Sequence, residues 1–98
     1  MKPCRRLEIV VESAMVNTVI ELFKELDIPG YTLVPDIRGC GDRGLRWADD
    51  LAGDATNSLF LVACDEPEKV DALLESLRPI LSRSGGICLV SDAMWLRH

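Results

Sequence analysis

The sequence predicts a ferredoxin-like βαββαβ sandwich of the α+β class, with two helices on one face of a four-stranded antiparallel sheet. Three observations support this prediction: two amphipathic helical segments, short apolar segments typical of strands, and an element order that repeats β-α-β. The two halves match in spacing: strands begin near residues 7 and 58, helices near 14 and 66, and closing strands near 31 and 87. The 98 residues suffice for one domain, predicted over residues 1–98.

The first half begins with LEIVV, residues 7–11, a β-branched run that predicts a buried strand. Ser13 is expected to cap the following helix. Pro29 and Gly30 end this helix, and extended character resumes over residues 31–37. The apolar positions of the helix recur at helical spacing: Met15, Val16, Val19, Ile20, Phe23 and Leu26.

The second half follows the same pattern, beginning with a buried strand over residues 59–63. Asp65 is expected to cap the next helix, with Pro67 in its first turn. Ser84, Gly85 and Gly86 end the helix, and residues 87–90 form the last strand, beyond which Trp95 and Arg97 are expected to lie. The apolar stripe of this helix is Val70, Leu73, Leu74, Leu77, Ile80 and Leu81.

The predicted strands are apolar at consecutive positions, as in Leu59-Phe60-Leu61-Val62. A sheet that is apolar on both faces must have both faces covered, and the two helices cover only one. The sequence therefore predicts a homo-oligomer whose sheets pack together, with Trp95 buried against the neighbouring subunit.

Composition excludes several classes of function. The chain is 48% hydrophobic and 28% charged with a net charge of −5, which argues against disorder and against a broad nucleic-acid-binding face. No apolar run is long enough to span a membrane, and Glu8 and Glu12 interrupt any signal-peptide core, so we expect a cytoplasmic protein. The four cysteines form no C-x-x-C motif and are expected to be free thiols.

Catalysis is poorly supported by the sequence. The one histidine, His98, stands at the end of the chain, and no Ser-His-Asp or Cys-His arrangement can be built around a rigid histidine. We therefore predict that the protein is not an enzyme.

The connection between the halves, at about residues 38–57, is long for a chain of this size. Its glycines permit close backbone approach, so that successive N–H groups can point at one anion, and its arginines offer forked donors for phosphate or carboxylate. The Walker A motif is absent. The alternative interpretation is a mobile tip with glycines for flexibility. The residues concerned are Gly39, Gly41 and Gly44 with Arg38, Arg43 and Arg46.

Two segments, together with the element order, resemble the PII signalling superfamily. YTLVPDIRGCGDRG, residues 31–44, is similar to the base of that family's T-loop, and SGGICLVSD, residues 84–92, is similar to its B-loop and last strand. The resemblance implies a homotrimer that binds adenine nucleotides in the clefts between subunits. It also implies that a T-loop at about 38–57 controls a partner protein.

The residues GCGDRG and the short B-loop most resemble PII-like proteins associated with carboxysomes and inorganic-carbon transport. This branch implies ADP or AMP as the ligand, with bicarbonate as a second ligand in some members, and no obligatory cofactor. The partner would be a transporter or enzyme of inorganic-carbon uptake or fixation.

Site residues follow from the resemblance position by position. Thr32 would lie near the adenine, and the base of the loop would contact the phosphates. The B-loop would supply backbone donors, and the C-terminal segment would supply a charge. Two departures are that the loop has no tyrosine for uridylylation and that Gly86 replaces a basic residue. The implied nucleotide- or anion-binding set is Thr32, Arg38, Gly39, Cys40, Gly41, Asp42, Arg43, Gly44, Arg46, Ser84, Gly85, Gly86 and Arg97.

Three alternatives remain open at this level. The first is a nitrogen-regulatory sensor of the PII type. The second is a metal-binding trimer resembling divalent-cation-tolerance proteins, in which Cys40 would ligate with Asp42 or with His98 of another subunit. The third is redox sensing through Cys40, whose thiolate neighbouring arginines would stabilise. We predict no metal site.

Overall fold

The computed structural model describes residues 1–39 and 56–97. This part of the chain contains four strands and two α-helices, the first preceded by a short 3₁₀ helix. The elements are β1 (Lys2–Glu12), the 3₁₀ helix (Ser13–Met15), α1 (Val16–Glu25), β2 (Thr32–Ile37), β3 (Asn57–Cys64), α2 (Pro67–Ser84) and β4 (Ile87–Trp95). The predicted βαββαβ order is confirmed.

The four strands form one sheet in the order β2-β3-β1-β4, and each neighbouring pair is antiparallel. Leu7 at the centre of β1 lies opposite Val62 of β3 and Val90 of β4. Each βαβ unit therefore places its two strands parallel with one strand of the other unit between them, which is the ferredoxin-like topology.

The core lies between the sheet and the two helices, on the sheet's helix-covered face. Alternate residues of β1 and β3 point into it, as period-two side-chain direction requires. The helices contribute side chains at helical spacing. The buried cluster comprises Leu7, Ile9, Val11, Val19, Phe23, Phe60, Val62, Cys64, Val70, Leu73 and Leu77.

An aromatic cluster fixes the chain where it enters β2. Phe23 of α1 and Phe60 of β3 pack edge to face with ring centres 5.2 Å apart. Tyr31, just before β2, lies 5.2 Å from Phe23 and 5.4 Å from Phe60. Such pairs stabilise a fold beyond the area they bury, so the start of β2 is held against the core.

Both predicted helix caps are wrong. Ser13 makes no side-chain capping bond; its hydroxyl oxygen lies 2.8 Å from that of Ser58 and accepts a 2.8 Å bond from Thr56. Antiparallel pairing of β1 with β3 brings these three hydroxyls together. Asp65 is not the N-cap of α2, a position held by Glu66. The Asp65 carboxylate instead accepts a 2.8 Å bond from Lys2.

The last strand is longer than predicted, because residues 91–95 belong to β4. They pair with residues 2–6, which extend β1 on the N-terminal side of the predicted strand. Trp95 therefore ends the sheet and does not lie beyond it. None of the helices in the described ranges is both long and apolar enough to cross a membrane.

Candidate functional site

The face of the sheet opposite the helices, called the open face below, carries a cavity of about 360 Å³. Phe60 and Val62 point into the core, so alternation along β3 puts Leu61 and Ala63 on the open face. Both line the cavity.

Small side chains from three strands form the bottom of this cavity. Cys4 of β1 lies opposite Ala93 of β4, and Ala63 of β3 lies opposite Arg6 of β1. All four residues line the cavity, and Arg6 is the one charged residue that does so among the described residues. Short side chains at adjacent positions leave an open depression between their larger neighbours.

Thr32 and Trp95 mark the two sides of the cavity on the outer strands. Thr32 begins β2 and lies opposite Leu61, while Trp95 ends β4 and lies opposite Lys2. Both line the cavity, as does Tyr31 from the aromatic cluster. Thr32 is thus the one residue of the predicted site that lines this cavity among the described residues, and its position near an adenine stays a prediction.

Arg97 lies at the same end of the sheet as Trp95. The central guanidinium carbon of Arg97 stands 4.8 Å from the centre of the Trp95 ring, within the range of a cation–π contact. This end, where Lys2 and Trp95 pair, is called the terminal end of the sheet below.

Lys2 and Asp65 form an ion pair at the terminal end, with 2.8 Å between Nζ and Oδ2. The hydrogen bond from Lys2 lowers the pKa of Asp65 below its ordinary value of 3.8, and the charge of Arg97 contributes in the same direction. A lowered folded-state pKa stabilises the fold above the unfolded pKa, and this stabilisation disappears as pH falls through the folded pKa.

We expect Lys2→Met to return the Asp65 pKa toward 3.8, because it removes the largest cause of the shift. An NMR titration of the Asp65 carboxyl carbon between about pH 2 and 6 measures this change. Lys24→Met, which removes a lysine paired with Glu21 on α1, is the matched control. An Asp65 pKa that is unchanged by Lys2→Met would contradict the assignment.

The remaining described site residues lie at the opposite, loop end of the sheet. Arg38 and Gly39 follow β2 and are exposed. Asp36 has a positive φ of 59°, and the β2–β3 register shifts between Val34 and Ile37. A bulge of this kind bends an edge strand and redirects the residues after it, here Arg38 and Gly39.

The turn between α2 and β4 also lies at the loop end. Ser84 is buried, and its hydroxyl donates to the Ile80 carbonyl oxygen at 2.9 Å. Gly85 has φ 80° and donates its N–H to the Leu81 carbonyl oxygen at 2.9 Å, which closes the helix. The Ser84 hydroxyl and the Gly85 N–H are thus hydrogen-bonded within the end of α2. Gly86 is therefore the candidate backbone donor of this turn.

The structure therefore divides the predicted site. Gly86 and Arg97 flank β4, whose 9 residues span about 30 Å at about 3.3 Å per residue. Arg38 and Gly86 share one end but lie beyond opposite edge strands. One copy of the chain therefore does not bring Gly86 and Arg97 to one small ligand. Cys40, Gly41, Asp42, Arg43, Gly44 and Arg46 lie outside the described residues.

The alternatives that involve Cys40 also fall outside the described residues, as does His98. Within residues 1–39 and 56–97, no group of three His, Cys, Asp or Glu side chains is placed to hold a metal ion. Cys4, Cys64 and Cys88 are free thiols, and burial raises the pKa of the Cys88 thiol.

The sequence profile of the family "Nitrogen regulatory protein P-II" matches residues 4–98. The chain belongs to this PII family. Its fold and its resemblance to the family are thereby confirmed. Among proteins with curated descriptions, none matches the chain.

Solved structures of PII-like proteins are similar over nearly the whole chain. CPII from Thiomonas intermedia K12, bound to ADP, AMP and bicarbonate, is 26% identical with a TM-score of 0.80, covering 98% of this chain and 96% of that one. The same protein bound to ADP and bicarbonate is 28% identical with a TM-score of 0.81, covering 97% and 90%. A putative PII-like signalling protein from Thermus thermophilus is 26% identical with a TM-score of 0.74, covering 98% and 91%.

Proposed function

We propose that the protein is a non-enzymatic, cytoplasmic PII-like regulator that binds ADP or AMP between neighbouring copies in a homotrimer. The observation that supports this most is the apolar cavity beside Thr32 at the end of the sheet that carries Arg97. The similar CPII structures contain ADP, AMP and bicarbonate, so ligands of these classes are the first to test.

The cavity suits a nucleobase. Its volume of about 360 Å³ lies at the lower end of the range of small-molecule sites. Small residues at the bottom and Leu61 at the side offer a flat apolar surface, and Thr32 offers a hydroxyl that can donate to or accept from a base edge. A planar heterocycle with few polar atoms fits this combination of groups.

The phosphates require groups from both ends of the sheet. Arg97 stands beside the cavity in the copy that holds the base. Arg38, Gly39 and the Gly86 backbone lie at the other end and are proposed to reach the same ligand from the neighbouring copy. Forked arginine donors and glycine N–H groups are suited to phosphate oxygens.

Bicarbonate is the proposed second ligand. Arg6 is the charged residue of the described cavity lining, and its guanidinium lies 3.7 Å from the Glu8 carboxylate, a distance longer than a strong ion pair. A compact planar oxyanion can recruit such an arginine through two parallel hydrogen bonds.

The trimer and the partner complete the proposal. The open face exposes Val34, Ile87 and Leu89, which other copies would cover. The loop at about 38–57 is proposed to report ligand binding to a transporter or enzyme of inorganic-carbon uptake or fixation, as the family resemblance implies. Identification of the partner by co-purification in the presence and absence of ADP tests this step.

We expect AMP and ADP to bind the assembled protein in titration calorimetry, and Ala63→Phe to weaken binding by about tenfold or more. The larger side chain at Ala63 fills the bottom of the cavity. ATP and bicarbonate are titrated in the same way, bicarbonate with and without ADP.

Ala14→Phe is the matched control, because Ala14 is exposed and lies away from the cavity. It should leave affinity unchanged. The absence of binding heat for every ligand, with a trimer verified by sedimentation, would overturn the proposed function. Equal affinities of the Ala63→Phe variant and the wild-type protein would place the nucleotide elsewhere.

A further inference from the structure

Trp95 contacts Arg97 and also lines the cavity. The central guanidinium carbon of Arg97 lies 4.8 Å from the centre of the Trp95 ring. Trp95 lines the cavity on the open face. Arg97 is therefore in contact with a residue that lines the cavity, although Arg97 itself is not part of the lining.

A cation–π contact attracts the guanidinium to the ring through its charge and does not use its hydrogen-bond donors. A guanidinium that lies over an aromatic ring interacts through its flat face, while its five N–H groups point outward in its own plane. An exposed arginine without such a contact samples many rotamers, and ordering them opposes binding. The indole of Trp95 thus holds the Arg97 side chain in place before a ligand arrives.

The neighbouring carboxylate does not compete strongly for Arg97. Asp65 accepts a 2.8 Å bond from Lys2, whose positive charge offsets that of the carboxylate. Arg97 acts on Asp65 through its charge, and this effect on the Asp65 pKa is the smallest of those that lower it. Lys2 therefore leaves the Arg97 donors available to another anion.

The π face of Trp95, and not its indole N–H, accounts for a tryptophan at this position. Trp95 Nε1 is buried and has no hydrogen-bond partner within the described part of the chain. A buried donor without a partner destabilises a fold, and leucine or phenylalanine would cover the same wall without that cost. The π face of tryptophan attracts cations more strongly than other aromatic rings do, and this property is the one Arg97 uses.

We infer that Trp95 is a positioning residue that holds Arg97 for the phosphate of a nucleotide in the cavity. This inference rests on the proposed function and adds a residue that the sequence resemblance did not assign. Trp95 would act on phosphorylated ligands through Arg97 and not through direct contact with phosphate.

A double-mutant cycle tests the inference. We expect Trp95→Leu and Arg97→Met each to weaken ADP binding by about three- to tenfold, as loss of a cation–π contact or a charge-assisted bond implies. The double variant should bind about as weakly as Arg97→Met alone, because Trp95 acts through Arg97. Trp95→Phe should recover part of the affinity. Adenosine, which lacks phosphate, should bind Arg97→Met as tightly as the wild-type protein. Because Trp95 also lines the cavity, Trp95→Leu should weaken adenosine binding by less than it weakens ADP binding.

Additive effects in the cycle, or an equal loss for adenosine, would overturn the inference, since Trp95 would then act on the base directly. Arg83→Met, which removes an exposed arginine of the last turn of α2, is the matched control and should change nothing. Failure of the wild-type protein to bind ADP would overturn the proposed function and this inference together, whereas wild-type binding with an additive cycle overturns this inference alone.

A measurement without ligand checks the geometry. The Arg97 side-chain protons should resonate upfield of ordinary arginine values because of the Trp95 ring current. Trp95→Leu should abolish this displacement and Trp95→Phe should retain part of it. Ordinary Arg97 shifts in the wild-type protein would contradict the stacked arrangement.

Discussion

Gly86→Ala is expected to lower the free energy of unfolding by about 3 kcal/mol or more, the largest effect predicted for a single methyl group in this chain. A Cβ at this position would lie 2.2 Å from the Val10 carbonyl oxygen and 3.0 Å from a methyl carbon of Leu81. The Val10 oxygen belongs to the backbone of β1 where it pairs with the start of β4, at Ile87. Relief of the clash would require the two strands to separate locally.

Gly30→Ala provides the matched control, because a Cβ at Gly30 meets no atom within 4 Å. We expect the free energy of unfolding of that variant to lie within about 0.5 kcal/mol of the wild-type value. Denaturant unfolding followed by circular dichroism, with all variants at one protein concentration, gives the comparison. A Gly86→Ala midpoint equal to that of Gly30→Ala would show that β1 and β4 do not approach each other as closely as described.

The same close approach explains why the family's basic residue is difficult to accommodate here. The sequence shows only that a glycine stands at position 86, and a glycine after a helix is ordinarily interpreted as part of a C-cap. The cap is in fact Gly85, with its positive φ. Which of two adjacent glycines caps the helix and which packs against a strand depends on tertiary contacts that local sequence does not encode.

Most of the fold could be predicted because its periodicities are clear. The helical spacing from Val70 to Leu77 and the apolar run at residues 59–63 indicate α2 and β3 without reference to the rest of the chain. The ends of β1 and β4 could not be predicted, because residues 2–6 include three basic side chains and a proline, and Ser91 and Asp92 interrupt the apolar run of the last strand. They form strands because each pairs with the other, as the 3.5 Å contact of Arg5 with Asp92 illustrates.

The candidate site was only partly predictable. Thr32 followed from the family resemblance, whereas the cavity residues Cys4, Arg6 and Trp95 did not. They come from strands that are distant in sequence and adjacent only through the register of β1 with β4. The one local signal was the small Ala93 two residues before a tryptophan on the same face of the strand, which is too common a pattern to indicate a site.

Leu89→Asp is expected to convert the protein from the proposed trimer, with three times the chain mass of 10.9 kDa, to a folded monomer. Leu89 is 58% exposed on the open face. Ile87, on the same face of β4, is 48% exposed, and Val34 of the other edge strand, β2, is 37% exposed. Burial of a carboxylate against apolar neighbours in an interface is strongly unfavourable. Leu89 lies outside the core cluster, so the fold of each chain should survive.

Met94→Asp tests whether any charge on β4 has the same effect. Met94 is a similarly exposed apolar residue of the same strand, but alternation places it on the face of Cys88 and Val90, which pack against the core. Sedimentation at micromolar concentration should show a trimer for Met94→Asp and a monomer for Leu89→Asp. Because the proposed nucleotide site takes the cavity from one copy and the Gly86 turn from the next, the monomeric variant should also lose ADP binding. A Leu89→Asp monomer that retained full affinity would show that one chain holds the whole site.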